Sequence, residues 1–339
     1  MILYMLTSEL VAAKAKALLN FSSLVKLWVR KLKHLFEYGG LLLLIQLAAR
    51  LRLQWLLKLG AGLGRFTFSV LRIRRNVALE NLRHAFPEKS QAELLALARR
   101  NYENFGMMML EYLRLPHMSA QALAGLATFR SAQDAAAWFQ TLKAGTGAVC
   151  MTGHFGNWEY MGATLAQHFP MVYLYQSQNN PYVDALIRRT RAKVNMHSIP
   201  RQALKDILKA LRQNKFVAIL ADQDAGRGGL FVNFMGRPAS TAQGPAAFVL
   251  KTGAPILFVF ALRQPHGKHL IESECLRFED LPSHWSEEEK LHHITQAWTN
   301  VLEKYVRRYP DHWFWMHRRW KTAPPIEASV EAREKTVVD

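Results

Sequence analysis

A histidine, an asparagine and a glutamate fall within six positions of the stretch TGHFGNWEY, residues 152–160. His154 follows the apolar run AVCM, which has the character of a buried strand, so the polar cluster stands where a strand gives way to a helix. Asn157 is a suitable helix cap, and Glu159 would then lie in the first turn, where the helix dipole favours a carboxylate. From there Glu159 could reach back to one imidazole nitrogen of His154, fixing the tautomer and raising its basicity. The other nitrogen would be left to take a proton from an attacking hydroxyl. Such a pair suits acyl transfer. The same spacing also fits a helix cap in which Glu159 only complements the dipole and His154 only satisfies nearby backbone.

A second constellation, LADQDAGRGG at 220–229, puts Asp222 and Asp224 on one side of a strand end, flanking Gln223 and preceding a glycine-rich loop. A D-x-D pair can hold a divalent cation against a sugar diphosphate, which makes a metal-dependent glycosyltransferase the competing reading. Phosphate-loop, nucleophile-elbow and zincin motifs are absent from the sequence. Two basic clusters lie further on: IRRTRAK, with Arg188, Arg189 and Arg191, and HWFWMHRRWK, with Arg318, Arg319 and Lys321. Cations near a helix C-terminus have a structural reason to be there. Interleaved aromatic and basic side chains suit a membrane interface. No nucleic-acid-binding motif accompanies the charge, so nucleic acid is not expected as a partner.

The elements that must position these residues follow from apolar periodicity. Residues 1 to about 142 carry helical patterning, with helix starts at Ser90-x-x-Glu93 and Ser131-x-x-Asp134. After Gly147, short apolar runs at about 147–152, 171–176, 195–199, 216–222 and 254–263 alternate with amphipathic stretches. Helices are expected from near Asn157, Pro181 and Arg201, and a last one from about Ser286 to Tyr309. This pattern predicts an α/β fold, a largely parallel central sheet with flanking helices, preceded by a helical, membrane-associated N-terminal region. His154 and Asp222 both fall at strand carboxyl ends, where ligands gather in such sheets. The expected division is an anchoring segment at 1–66, a catalytic domain at 67–325 (helical to 142, α/β core from 143) and a disordered tail at 326–339.

Of 339 residues half are apolar, enough for a sizeable core, and 44 Lys and Arg against 26 Asp and Glu leave a charge of +18. That balance favours an acidic partner, and on charge alone nucleic acid, anionic lipid and an acidic carrier protein all qualify. Cys150 and Cys275 are too few and too far apart for a zinc quartet or a disulfide framework. The start MILYMLTSEL lacks the basic region of a signal peptide, so no export is expected. The most apolar segment, 38–66, is interrupted by Arg50, Arg52 and Lys58 and preceded by Lys26, Arg30, Lys31 and Lys33. It is expected to lie in a membrane interface, with a short tilted span or a core helix as alternatives.

Six blocks carry a family resemblance: RRNVALENLRHAFPE (74–88), HFGNWE, ADQD, FMGRPAST (234–241), TGAPI (252–256) and WFWMHRRWK. In this order, across about residues 25–325, they resemble the lipid A biosynthesis late acyltransferases. The resemblance implies transfer of a fatty acyl chain from acyl carrier protein to a hydroxyl of a lipid A precursor, at the cytoplasmic face of the bacterial inner membrane. Neither cofactor nor metal is implied. His154 and Glu159 match the family's catalytic dyad, while Arg191 and Asp222 match an arginine and an aspartate needed for activity. In the implied mechanism Glu159 orients His154, which deprotonates the acceptor for direct attack on the thioester, without an acyl-enzyme. Asn157, Gln223, Asp224, Arg188 and Arg189 are expected to contact substrate, and Arg318 and Arg319 to bind acceptor phosphate or headgroup. Related enzymes of the wider superfamily acylate mannosylated phosphoinositides, a second possible acceptor class.

Overall fold

The computed structural model describes residues 2–324, with side chains from Lys26 onward; the tail at 326–339 lies outside the described residues. The chain opens with four helices, α1 (Ile2–Arg50), α2 (Leu53–Phe66), α3 (Arg75–Ala85) and α4 (Gln91–Tyr112), followed by the short α5 (Ala120–Ala124). The alternating part comprises β1 (Ala127–Phe129), α6 (Ala132–Ala144), β2 (Ala148–Thr152), α7 (Trp158–Leu165), β3 (Met171–Tyr175), α8 (Pro181–Lys193), β4 (His197–Pro200), α9 (Leu204–Arg212) and β5 (Phe216–Leu220). A hairpin of β6 (Leu230–Phe234) and β7 (Arg237–Thr241), α10 (Gly244–Thr252), β8 (Ile256–Arg263), β9 (His269–Leu276) and α11 (Glu287–Arg308) complete it.

The helix starts form for the reasons their sequences suggest. Ser90 and Glu93 make a reciprocal capping box, Ser286 and Glu289 make another, and Ser131 accepts the amide of Asp134. Asn180 caps α8, with Pro181 in its first turn, where the missing N–H costs nothing.

The seven-stranded sheet runs in the order β1-β9-β8-β2-β5-β3-β4. Strands β8, β2, β5, β3 and β4 are mutually parallel, as expected of an α/β fold with a largely parallel sheet. Strand β9 returns antiparallel beside β8, and β1 pairs parallel with β9, so one edge reverses direction. That edge corrects the expectation of uninterrupted helix before residue 142. A three-residue strand, ATF, is too short to leave a period-2 pattern, and only its pairing with β9 defines it. The antiparallel β6–β7 hairpin, a separate two-stranded sheet, is a second addition to the expected elements.

The apolar segment 38–66 is divided at Leu51–Arg52 rather than continuous. Helix α2 buries Leu56 together with Gly60 and Gly64 against α4. A Cβ at Gly60 would stand 2.7 Å from Met107 Cα, and one at Gly64 2.1 Å from the Tyr102 carbonyl oxygen. The GAGLG sequence is thus what lets two helix backbones meet. The opposite side of α2 presents Trp55, Leu59, Leu63 and Phe66 to solvent, continuous in sequence with exposed Leu27, Trp28, Leu32, Phe36, Leu43 and Leu47 of α1 and Val70, Leu71 and Ile73 beyond. No described helix is long and apolar enough to cross a membrane.

Candidate active site

Strands β2 and β5 are neighbours with Thr152 opposite Leu220, so the residues that leave their carboxyl ends, His154 and Asp222, are brought together. The Nδ1 of His154 pairs with Asp222 Oδ1 at 2.8 Å. The other carboxylate oxygen accepts the backbone N–H of His154 at 2.8 Å and the indole N–H of Trp313 at 2.9 Å. Asp222 is only 2% exposed. Burial alone would raise its pKa, but the charge of His154 and these hydrogen bonds hold it below its ordinary value. Burial likewise opposes a charged His154, yet the charge and hydrogen bond of Asp222, with a further contribution from the charge of Glu159, lift its pKa above 6.5. With Nδ1–H donated to Asp222, Nε2 is the nitrogen left for a proton. Among the described residues it makes no hydrogen bond, and the ring, 25% exposed, faces a cavity.

This geometry corrects the expected hydrogen-bonded pairing of His154 with Glu159. Glu159 sits in the first turn of α7 as anticipated, but its carboxylate is taken by the guanidinium of Arg191 from α8, through both Nη2 and Nε. A fork of two donors outcompetes a single imidazole for a carboxylate. Glu159 therefore acts on His154 through space, and Asp222 is its hydrogen-bond partner.

The C-terminal aromatic motif straps this turn. Phe155 and Trp313 form an antiparallel bridge, the Phe314 N–H donates to the His154 carbonyl at 2.9 Å, and the Gly156 N–H donates to the His312 carbonyl at 2.9 Å. The strap is itself held by Asn101, which donates to the carbonyls of Asp311 and Trp313, and by Asn81, which donates to those of Trp315 and His317. Gly156 adopts φ +57, and a Cβ there would lie 1.9 Å from the Ala261 carbonyl oxygen. Only glycine fits that position.

Several expected substrate contacts are scaffold instead. Arg319 is fully buried, donates to the Ser240 carbonyl and the Thr241 hydroxyl, and lies over the Phe234 ring; desolvation pulls its pKa down to about 10. It is closed off from a headgroup. Arg318 is exposed but does not line the cavity. Asn157 is buried, caps α7 by accepting the Tyr160 amide, and donates to Glu111 at 2.7 Å. Glu111 forms a bidentate pair with Arg263, both bonds 2.7 Å, an anchor for the turn that no local sequence signal marked. Asp224 is consumed by Thr322, the Gly226 amide and Lys321. The oxygens of Asp222 are taken up by His154 and Trp313 and those of Asp224 by these donors, rather than left to a cation, which counts against the D-x-D reading. Among the described residues no group of three metal-ligating side chains exists.

A cavity of about 820 Å³ opens in front of His154. Trp158, Glu159, Arg191 and Gln223 line it near the histidine, Met108, Met109 and Tyr112 line it from α4, and Arg188, Arg201 and Leu204 from the side of α8 and α9. Arg188 also pairs with Asp184, whereas Arg189 is exposed away from the lining. From the level of Glu159 and Arg191 a narrow recess continues between α7 and the sheet, walled by Met161, Gly162, Leu165, Met171, Tyr173 and Met196. Chemically the site offers an oriented base, an adjacent fixed cation and an apolar slot.

Comparison with known proteins identifies acyltransferases as relatives. The chain is 28% identical over 284 residues to the lipid A biosynthesis lauroyltransferase of Escherichia coli, covering 79% of this chain and 85% of that protein. It is 27% identical to that organism's lipid A biosynthesis palmitoleoyltransferase, covering 80% and 87%. A phosphatidylinositol mannoside acyltransferase of Mycobacterium tuberculosis is 26% identical over 234 residues, 64% of this chain and 68% of that protein. The family model described as bacterial lipid A biosynthesis acyltransferase matches residues 28–322. The protein is an enzyme that transfers acyl groups, and it belongs to the bacterial lipid A biosynthesis acyltransferase family.

Proposed function

We propose that the protein moves a fatty acyl chain from acyl carrier protein to a hydroxyl of a lipid A precursor, with His154 as general base. The observation that carries this reading is the imidazole itself: Nδ1 is fixed by a buried carboxylate while Nε2, without a hydrogen-bond partner among the described residues, faces the cavity. The acceptor O–H gives its proton to Nε2, and its oxygen forms the ester bond to the thioester carbonyl. The resulting oxyanion develops in the cavity that Arg191 lines, where a preformed cation supplies electrostatic stabilisation. Collapse breaks the carbon–sulfur bond, and the imidazolium returns its proton to the departing thiolate. No side chain is acylated. Glu159 holds Arg191 in place, so H-x4-E contributes a base and the anchor of a cation.

The recess behind Arg191 suits the apolar chain of the donor. The exposed apolar surface of α1 and α2, interleaved with Lys26, Arg30, Lys31, Lys33, Arg52 and Lys58, suits an interfacial attachment to the cytoplasmic face of the inner membrane. Met109, exposed on the cavity wall, would then bring the opening close to lipid.

The test is transfer of radiolabelled acyl chain from acyl carrier protein to a tetraacylated lipid A precursor, by purified wild type and His154→Ala with EDTA present. Transfer by the wild type and its loss in the variant is the expected result. A folded wild type that acylates a mannosylated phosphoinositide but no lipid A precursor would replace the acceptor and keep the mechanism.

A further inference from the structure

The cavity rim has two lips of opposite character. One, from α4, ends in Met108 and Met109. The other, from α8 and the β4–α9 turn, carries Arg188, Arg201 and Leu204. Behind this second lip the chain concentrates charge: residues 181–215 contain nine Lys and Arg against two Asp, a net of +7 from about a tenth of the sequence. Only two of those cations have an acidic partner among the described residues, Arg188 with Asp184 and Arg191 with Glu159. Arg201, Lys205, Lys209 and Arg212 are all exposed, and Lys205 and Lys209 share one side of α9.

We propose that this face, the exposed side of α9 with the Arg201 turn, is the docking surface for the acidic carrier protein that delivers the acyl thioester. The inference rests on the donor named above. A carrier protein presents an acidic surface beside its thioester arm, so its docking site needs positive charge within reach of the catalytic opening. Arg201 satisfies both conditions, since it belongs to the charged face and lines the cavity of His154. Leu204, 57% exposed, is the one large apolar side chain this face offers, set among cations as an interface centre with a polar rim. An anionic bilayer fits the face less well. Interfacial binding requires an apolar stripe to insert, which α1 and α2 have and α9 lacks. The two substrates would thus reach one cavity from a basic lip and an apolar lip.

The experiment compares wild type with Lys205→Glu/Lys209→Glu, neither position lining the cavity. KM for acyl carrier protein substrate is measured beside turnover of the same acyl group on free pantetheine, together with binding of labelled carrier protein by fluorescence anisotropy. The expected result is a rise in KM for the carrier-borne substrate of about tenfold, weaker dependence on salt, and unchanged turnover of acyl-pantetheine. Lys205→Gln/Lys209→Gln should give a smaller rise in the same direction, and covers the case in which charge reversal impairs folding. Unaltered KM and salt dependence in a folded variant would overturn the assignment. So would lost binding to phosphatidylglycerol vesicles with carrier affinity intact, which would give the face to lipid. A wild type that binds carrier protein through these lysines but transfers nothing would refute the proposed activity and uphold the docking surface. A wild type that does not bind it would refute both.

Discussion

Asp222→Asn is the sharpest perturbation, because it keeps shape and volume while changing what the carboxylate can accept. The native carboxylate takes three donors, His154 Nδ1–H, the His154 amide and the Trp313 indole. Asparagine has one acceptor oxygen. If that oxygen keeps the amide and the indole, its NH₂ faces Nδ1 and must donate, which drives the imidazole to the Nε2–H tautomer. The base would then present a proton to the acceptor hydroxyl rather than a lone pair. General-base catalysis is worth about 10²–10⁴, so kcat should fall by that factor, about 2.7–5.4 kcal/mol of transition-state stabilisation. The pH profile gives a second readout. The wild-type rate should rise with pH through a pKa above 6.5, since the neutral imidazole is the active form. In the variant the raising influence of Asp222 is gone, so the remaining activity should show its limb at lower pH. Stability responds with a definite sign. The depressed Asp222 pKa stabilises above about pH 3.8 and is lost as pH falls through its folded value. The raised His154 pKa stabilises below 6.5 and is lost as pH rises through its folded value. The wild type should therefore exceed the variant in thermal stability most between those limits. The assay is acyl transfer across pH, with melting curves at each pH. A folded variant with kcat within about threefold of wild type would refute the reasoning and return the orienting role to Glu159.

Gly156→Ala should disrupt the turn, since a Cβ would lie 1.9 Å from a backbone oxygen in a left-handed conformation; a loss of about 3 kcal/mol or more, read by denaturant unfolding, is expected. Arg319→Ala should destabilise by about 2–4 kcal/mol with KM for acceptor unchanged, whereas Arg318→Ala should leave the melting temperature as it is. Gly162→Ala adds a Cβ 3.1 Å from Met196 Cε and from the Tyr173 ring, narrowing the recess. Competition between donors of different length should then shift toward shorter chains, and an unshifted preference would place the chain elsewhere.

Much of the site could be read before any fold was known. HFGNWE marked His154 and Glu159, strand periodicity put His154 and Asp222 each at a strand carboxyl end, and capping patterns located the starts of α4 and α6 to within a residue. These signals are local: a cap, an alternation or a strand end involves only a few consecutive residues. Which carboxylate meets which base was not local. Asp222 is 68 residues from His154 and Arg191 is 32 from Glu159, and competition for hydrogen bonds between strand ends and helices assigned the partners. The same holds for WFWMHRRWK, whose composition suggested a membrane or headgroup contact but whose backbone bridges the catalytic turn while Arg319 serves the core. Residue type alone established that a base, carboxylates and cations were available. Tertiary packing decided their pairing and exposure, because burial removes water as the competing partner and leaves each charge to the nearest group that can satisfy it.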